Sequence, residues 1–315
     1  PRQSKLMTTL LETHEACLAH ETPQGHPECA ARLKAVLGAL EAPEFADLTR
    51  IAAPRAETKA LVRVHSQAHI DAILSMVPEE GFARIDADTA MSPGSGEAAL
   101  RAAGAAIDAV DRVMAGEAEN AFCAIRPPGH HAEPNRAMGF CLFNNVAVAA
   151  QHLRAEYGLS RIAVVDFDVH HGNGTQAAFW DADGMYYISA HQSPLYPGTG
   201  AVSERGTHRN ILNLPLKPAA GSDDFRLIVS EAILPALEMM EPEFLLISAG
   251  FDAHEADPLG GMGLKTADYY WVTQQLAAFA RARVKGRIVS TLEGGYDLEA
   301  LAEASAAHVR ALMGR

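Results

Sequence analysis

The run Arg161-Ile162-Ala163-Val164-Val165-Asp166-Phe167-Asp168-Val169-His170-His171-Gly172-Asn173-Gly174 joins a short apolar, β-branched segment to a cluster of acids and imidazoles. A brief continuous apolar run is the form a strand takes when both faces of a parallel sheet are covered. Runs of the same kind recur at Ala121–Ile125, Met185–Ala190, Ile211–Leu214, Phe244–Ala249 and Arg287–Leu292, with Arg161–Phe167 among them. Helical spacing fills the intervals: Glu97–Met114 before Gly116, Asn144–Tyr157 before Gly158, then Asp223–Met240, Thr266–Arg283 and Asp297–Leu312. A glycine just past the last turn supplies the left-handed residue that ends a helix. Strand and helix in alternation predict an α/β fold of three layers, α/β/α, with a mainly parallel central sheet. Ligands in such folds gather beyond the carboxyl ends of the strands. The acids and imidazoles stand at that edge.

Hydrophobic residues make up 48% of the chain and charged residues 21%, which provides for a large core and argues against disorder. No repeat or Gly/Ser linker divides it, so one domain over residues 1–315 is expected, with residues 1–6 set aside as vector-derived or disordered. The net charge of −13 argues against nucleic acid and anionic membrane as partners, because phosphate contacts need clustered cations. Neither a bilayer-spanning run nor a leader with a cleavage site is legible. Cys17, Cys29, Cys123 and Cys141 have no CxxC or framework spacing and read as reduced thiols of a cytoplasmic protein.

Asp168 and His170 lie two apart on an extended strand end, so their side chains point to the same side. Asp252, in Gly250-Phe251-Asp252-Ala253-His254 after Phe244–Ala249, can supply a third ligand. Three protein ligands with an open position mark a catalytic metal site rather than a closed structural one. Two carboxylates and one imidazole suit Zn²⁺, with Fe²⁺ as the second candidate. Taken singly, each of these residues reads as a helix cap or a packed histidine, and only the joint pattern points to a metal. His254 reads as a rim residue.

After Ala121–Ile125 comes Arg126-Pro127-Pro128-Gly129-His130-His131-Ala132, a stiff loop that belongs to neither strand nor helix. Adjacent imidazoles there suit acid–base work, since hydrolysis of an amide needs a base for water and an acid for the leaving amine. In Leu292-Glu293-Gly294-Gly295-Tyr296 the two glycines allow a sharp turn that presents Tyr296 to the same edge. A phenol at that position can donate to the oxyanion of a tetrahedral intermediate.

These pieces together resemble the histone deacetylase family of the arginase–deacetylase fold. The resemblance runs through Gly25-His26-Pro27-Glu28 with Arg32, Arg126–Ala132, Gly139-Phe140-Cys141, Asp166–Gly174, Tyr196-Pro197-Gly198-Thr199-Gly200, Ser248–Asp252, Asp257-Pro258-Leu259-Gly260-Gly261 and Glu293–Tyr296. His170-His171-Gly172-Asn173-Gly174, with Asn where other branches have Asp, is similar to class II and its bacterial relatives. The resemblance implies that Asp168, His170 and Asp252 bind the metal and that His131 is general base and then acid. It further implies that His130 gives electrostatic support held by Asp166, that Asn173 orients His131, and that Tyr296 is the oxyanion donor. Phe140 and Tyr196 resemble the aromatic walls of a substrate tunnel, with Gly139 and Leu259 beside them. A structural K⁺ near Asp166, Asp168, His170 and Ser189 is implied as well, and Arg32 matches an arginine lining an inner channel.

The expected activity is therefore removal of acetyl groups from N-acetylated small molecules, peptides or proteins, with acetyl-lysine first and room for a homo-oligomer. The alternative is an acetylpolyamine amidohydrolase. Polyamine-selective relatives carry Glu where Leu259 stands, which leans away from that reading unless Glu255 or Asp257 reaches the mouth. An arginase-type ureohydrolase would need further ligands, and a non-catalytic binding module would have lost a ligand or the tyrosine.

Overall fold

The structure, a computed structural model, describes residues 8–315, so the expectation for residues 1–6 lies outside it. Strands β1 (Thr9–Thr13), β2 (Thr49–Ala52), β5 (Asn120–Cys123), β6 (Ile162–Asp166), β7 (Met185–Gln192), β8 (Ile211–Leu216), β9 (Phe244–Ala249) and β10 (Ile288–Leu292) form one sheet. Their order is β2-β1-β5-β10-β9-β6-β7-β8, and every neighbouring pair is parallel. A separate two-residue hairpin pairs β3 (Ala83–Arg84) with β4 (Ala90–Met91). Each residue of β5, β6, β9 and β10 is buried, which accounts for their unbroken apolar character.

Helices complete the three layers. On one side α1 (Ala30–Ala39), α9 (Thr266–Arg283) and α10 (Leu298–Leu312) pack together, and α4 (Ser95–Ala115) packs on α5 (Asn145–Tyr157). Gly116 and Gly158 end α4 and α5 with φ of 74° and 66°, the left-handed caps expected of them. The short helices α2 (Thr58–Leu61), α3 (Gln67–Ser75) and α6 (Asn173–Phe179) sit in the connections.

Boundaries depart from expectation for local reasons. Arg161 stands outside β6 because its N–H goes to the Glu243 carboxylate rather than to the ladder. The expected helix Asp223–Met240 is interrupted: α7 (Ser222–Ile228) and α8 (Leu234–Met240) flank a π-helical turn at Val229–Ile233. Pro235, in the first turn of α8, has no N–H for a carbonyl one turn back and its ring crowds that carbonyl, so the backbone widens there. Strands β1 and β2 and helix α6 were not expected.

Candidate metal centre and active site

Four adjacent strands, β5-β10-β9-β6, deliver the chemistry-bearing segments to one edge. Asp166 ends β6, with Asp168 and His170 just beyond it, and Asp252 follows β9. The ligand atoms of Asp168, His170 and Asp252 lie within 4.8 Å of one another, and all three residues are buried. His170 Nδ1 is 3.1 Å from Asp168 Oδ1 and 3.0 Å from Asp252 Oδ2. The remaining oxygens are taken by backbone: Val169 N–H donates to Asp252 Oδ1 at 2.8 Å and Gly294 N–H to Asp168 Oδ2 at 2.8 Å. A Cβ at position 294 would come 2.1 Å from Asp252 Oδ2, so only glycine lets the backbone come this close.

This donor set fits a divalent cation. Two buried carboxylates beside one imidazole concentrate negative charge where water cannot solvate it, and such charge is stable only when paired or ligating. Burial, and then Asp168, push the Asp252 carboxyl up to about 7. Burial alone would depress His170, but its bonds to Asp168 and Asp252 outweigh that and push it up to about 10. A cation relieves the same excess of negative charge without a proton.

The two histidines after β5 face this group with opposite environments. Their ring centroids are 4.0 Å apart. His130 Nδ1 pairs with Asp166 Oδ2 at 2.9 Å, and His131 Nδ1 with Asn173 Oδ1 at 2.8 Å. Burial would lower His130, but Asp166 and Asp168 overcome it and raise it to about 10. Burial lowers His131 well below the ordinary imidazole value, and the charges of His130 and His170 lower it further. His130 is thus held cationic and His131 neutral.

A cavity of about 230 Å³ opens over the group, lined by Asp88, His131, Gly139, Phe140, His170, Leu195, Tyr196, Leu259 and Tyr296. Every tunnel residue expected from the resemblance is there, while His130, Asp166 and Asn173 lie behind the lining. Gly139 has φ +57°, and a Cβ on it would strike the His131 ring at 2.5 Å. Tyr296 packs edge-on to Phe140 at 5.8 Å, and the Arg32 guanidinium sits 4.8 Å over its ring. Burial raises its phenol well above the usual value, so the O–H is kept for donation. Ser189 lies in parallel register with Asp166, and its hydroxyl meets His191 Nδ1 at 2.9 Å.

Several participants were not anticipated. Glu293 is fully buried and accepts from Gly129 N–H at 2.7 Å and His130 N–H at 3.1 Å, clamping the histidine loop. Tyr187 donates its hydroxyl to Asp166 Oδ2 at 2.9 Å. Asp88 is the acid that lines the mouth cavity, whereas Glu255 and Asp257 do not. His254 turns to Thr266 Oγ1 at 3.3 Å and does not join the metal group. His191 is fully buried. Glu293 was visible beside its two glycines, but the others act from elements distant in sequence.

The model of the histone deacetylase domain matches residues 26–312. The chain belongs to the histone deacetylase family. Histone deacetylase 14, chloroplastic, of Arabidopsis thaliana is 38% identical, covering 97% of this chain and 77% of that protein. The histone deacetylase-like amidohydrolase of Pseudomonas aeruginosa is 40% identical over 86% of this chain and 72% of its own length. A probable deacetylase of Archaeoglobus fulgidus is 38% identical over 93% and 82%. The crystal structure of the HDA15 HD domain superposes with a TM-score of 0.93 at 34% identity, over 98% of this chain and 89% of that one. As a histone deacetylase family member the chain is a hydrolase of the deacetylase type with the arginase–deacetylase fold. Among the described residues no helix is long and apolar enough to cross a membrane.

Proposed function

We propose that this histone deacetylase family member removes acetyl groups from N-acetylated amines, with acetyl-lysine side chains as its substrate class. The carrying observation is the buried Asp168, His170 and Asp252 group at the floor of an apolar-walled cavity that also presents His131 and Tyr296. A divalent cation held by those three ligands, Zn²⁺ or Fe²⁺, supplies Lewis acidity to the acetyl carbonyl and lowers the pKa of the attacking water.

The chain's own groups do the rest. Phe140 and Tyr196 grip the alkyl stem, with Gly139 and Leu259 completing the wall. His131, neutral, takes the proton of the attacking water and returns it to the leaving nitrogen. Asn173 accepts from His131 Nδ1–H, which leaves Nε2 free as the base. His130, held cationic by Asp166, lends positive charge to the developing oxyanion, and the Tyr296 phenol donates to it. Asp166 and Ser189, with the backbone around Asp168 and His170, are the proposed seat of a structural K⁺. One catalytic domain carries this chemistry, since a single sheet takes strands from both ends of the chain. Four free cysteines suit a reducing cytoplasm.

Asp88 at the mouth favours a second reading, an acetylpolyamine amidohydrolase, because its carboxylate can meet a second ammonium of a polyamine. A turnover panel on zinc-loaded protein separates the two, comparing acetyl-lysine peptides, acetylated polyamines and small acetamides, with His131→Ala as control. Peptide turnover that vanishes in His131→Ala supports the first reading. Turnover of polyamines alone supports the second, and no turnover of any amide contradicts both.

A further inference from the structure

The segment that carries Tyr296 begins with two glycines, which contribute no side chain to restrain it. Its position must therefore be fixed through backbone groups. Arg32 donates to the carbonyls of Glu293 at 2.6 Å and Gly295 at 2.5 Å. Phe251 N–H donates to Gly294 O at 2.9 Å, and Gly294 N–H is held by Asp168. The amide of Tyr296 itself is held by Asp257, whose Oδ2 accepts it at 2.6 Å and also faces Asp297 N–H at 3.4 Å.

The other oxygen of the same carboxylate, Asp257 Oδ1, accepts from Leu259 N–H at 2.9 Å and Gly260 N–H at 3.3 Å. Taken alone, that half is an ordinary Asx turn, the local arrangement an Asp-Pro pair favours. The bond to Tyr296, 39 residues away, is not local. It joins the loop after β9, which carries the tunnel-wall residue Leu259, to the loop after β10, which carries the phenol. Asp257 is 7% exposed, and its charge-assisted bonds are correspondingly strong.

We infer that Asp257 is a positioning residue that sets Tyr296 against the acetyl carbonyl and couples it to the Leu259 wall. The inference rests on the deacetylase reading, in which Tyr296 donates to the oxyanion. Asn at position 257 keeps one acceptor oxygen and turns an NH₂ toward backbone N–H groups, so it cannot satisfy both loops.

A double-mutant cycle tests this with acetyl-lysine peptide on zinc-loaded protein, using wild type, Asp257→Asn, Tyr296→Phe and the double variant. Asp257→Asn is expected to lower kcat about tenfold with KM within about twofold, because misplacing a transition-state donor costs rate more than binding. In the Tyr296→Phe background the same change is expected to cost less than about twofold, since no donor remains to misplace. Zinc affinity by calorimetric titration is expected to stay unchanged. Equal losses in both backgrounds, full activity in Asp257→Asn, or lost zinc affinity would each overturn the positioning role. Full activity in Tyr296→Phe would instead overturn the oxyanion assignment beneath it. If Asp257→Asn does not fold, Asp257→Ser runs the same cycle, because its hydroxyl can serve the local turn but is too short to reach Tyr296.

Discussion

His131 can serve as a base because its neighbour carries the charge. Two adjacent imidazoles share one buried loop, and their partners separate them: a carboxylate for His130, an amide for His131. The doubled histidine was readable from its stiff Pro-Pro-Gly setting. Asp166 and Asn173 were named as its partners only through the family resemblance, since one ends β6 and the other opens α6. Tyr187 of β7 and Glu133 of the histidine loop itself were not anticipated. Glu133 accepts from Asn173 Nδ2 at 2.8 Å, which fixes the amide with its oxygen toward His131. Replacing Asn173 by Asp gives His131 a carboxylate partner and stabilises its cation. The acidic limb of the pH–kcat profile, where the base becomes protonated, is then expected to move to higher pH. Glu133→Gln in the same chain removes the repulsion between the new carboxylate and Glu133. An acidic limb that stays in place would contradict the His131–Asn173 pairing.

At the level of elements, the strands of the main sheet from β5 to β10 were legible, the edge strand β8 included, and β1 and β2 at the opposite edge were not. β6 and β9 are unbroken apolar runs because both faces are covered, whereas β1 is Thr-Leu-Leu-Glu-Thr and β2 is Thr-Arg-Ile-Ala, whose polar members mask the pattern. The cause in β1 is Glu12, fully buried, with Arg112 Nε of α4 standing 3.7 Å away. Burial, and then Asp108, push its carboxyl from 4.5 up to about 8. Between those values the folded chain holds a proton that the unfolded chain has released. The stability this proton contributes is complete below the lower value and is lost as the pH rises through the higher one. Glu12→Gln keeps the neutral shape and removes the titration. Relative to wild type its Tm is expected to rise by roughly 2–4 °C more at pH 9 than at pH 5. A difference that does not change with pH would contradict a buried, proton-holding Glu12. Helix α6 escaped notice for another reason: its first residue, Asn173, lies in a glycine-flanked cluster that reads as a loop.

Across the whole molecule, the order of strands makes the site. Segments scattered between residues 126 and 296 meet because β5, β10, β9 and β6 lie side by side, and the carboxyl-edge rule located them before any contact was known. The acid at the mouth escaped that rule, because Asp88 belongs to the hairpin turn between β3 and β4, outside the main sheet. Metal binding should also register in global stability, since an ion that binds only the folded chain stabilises it by mass action. Chelation is expected to lower Tm, and zinc at about 100 times its Kd to restore about 2.7 kcal/mol. A Tm indifferent to chelator and zinc would contradict a folded-state ion. The most direct measurement is anomalous scattering at the zinc edge from crystals of the zinc-loaded protein. The account predicts one ion per chain, within bonding distance of Asp168, His170 and Asp252, and its loss in Asp252→Ala. An ion bound elsewhere, or none among these three residues, would contradict it.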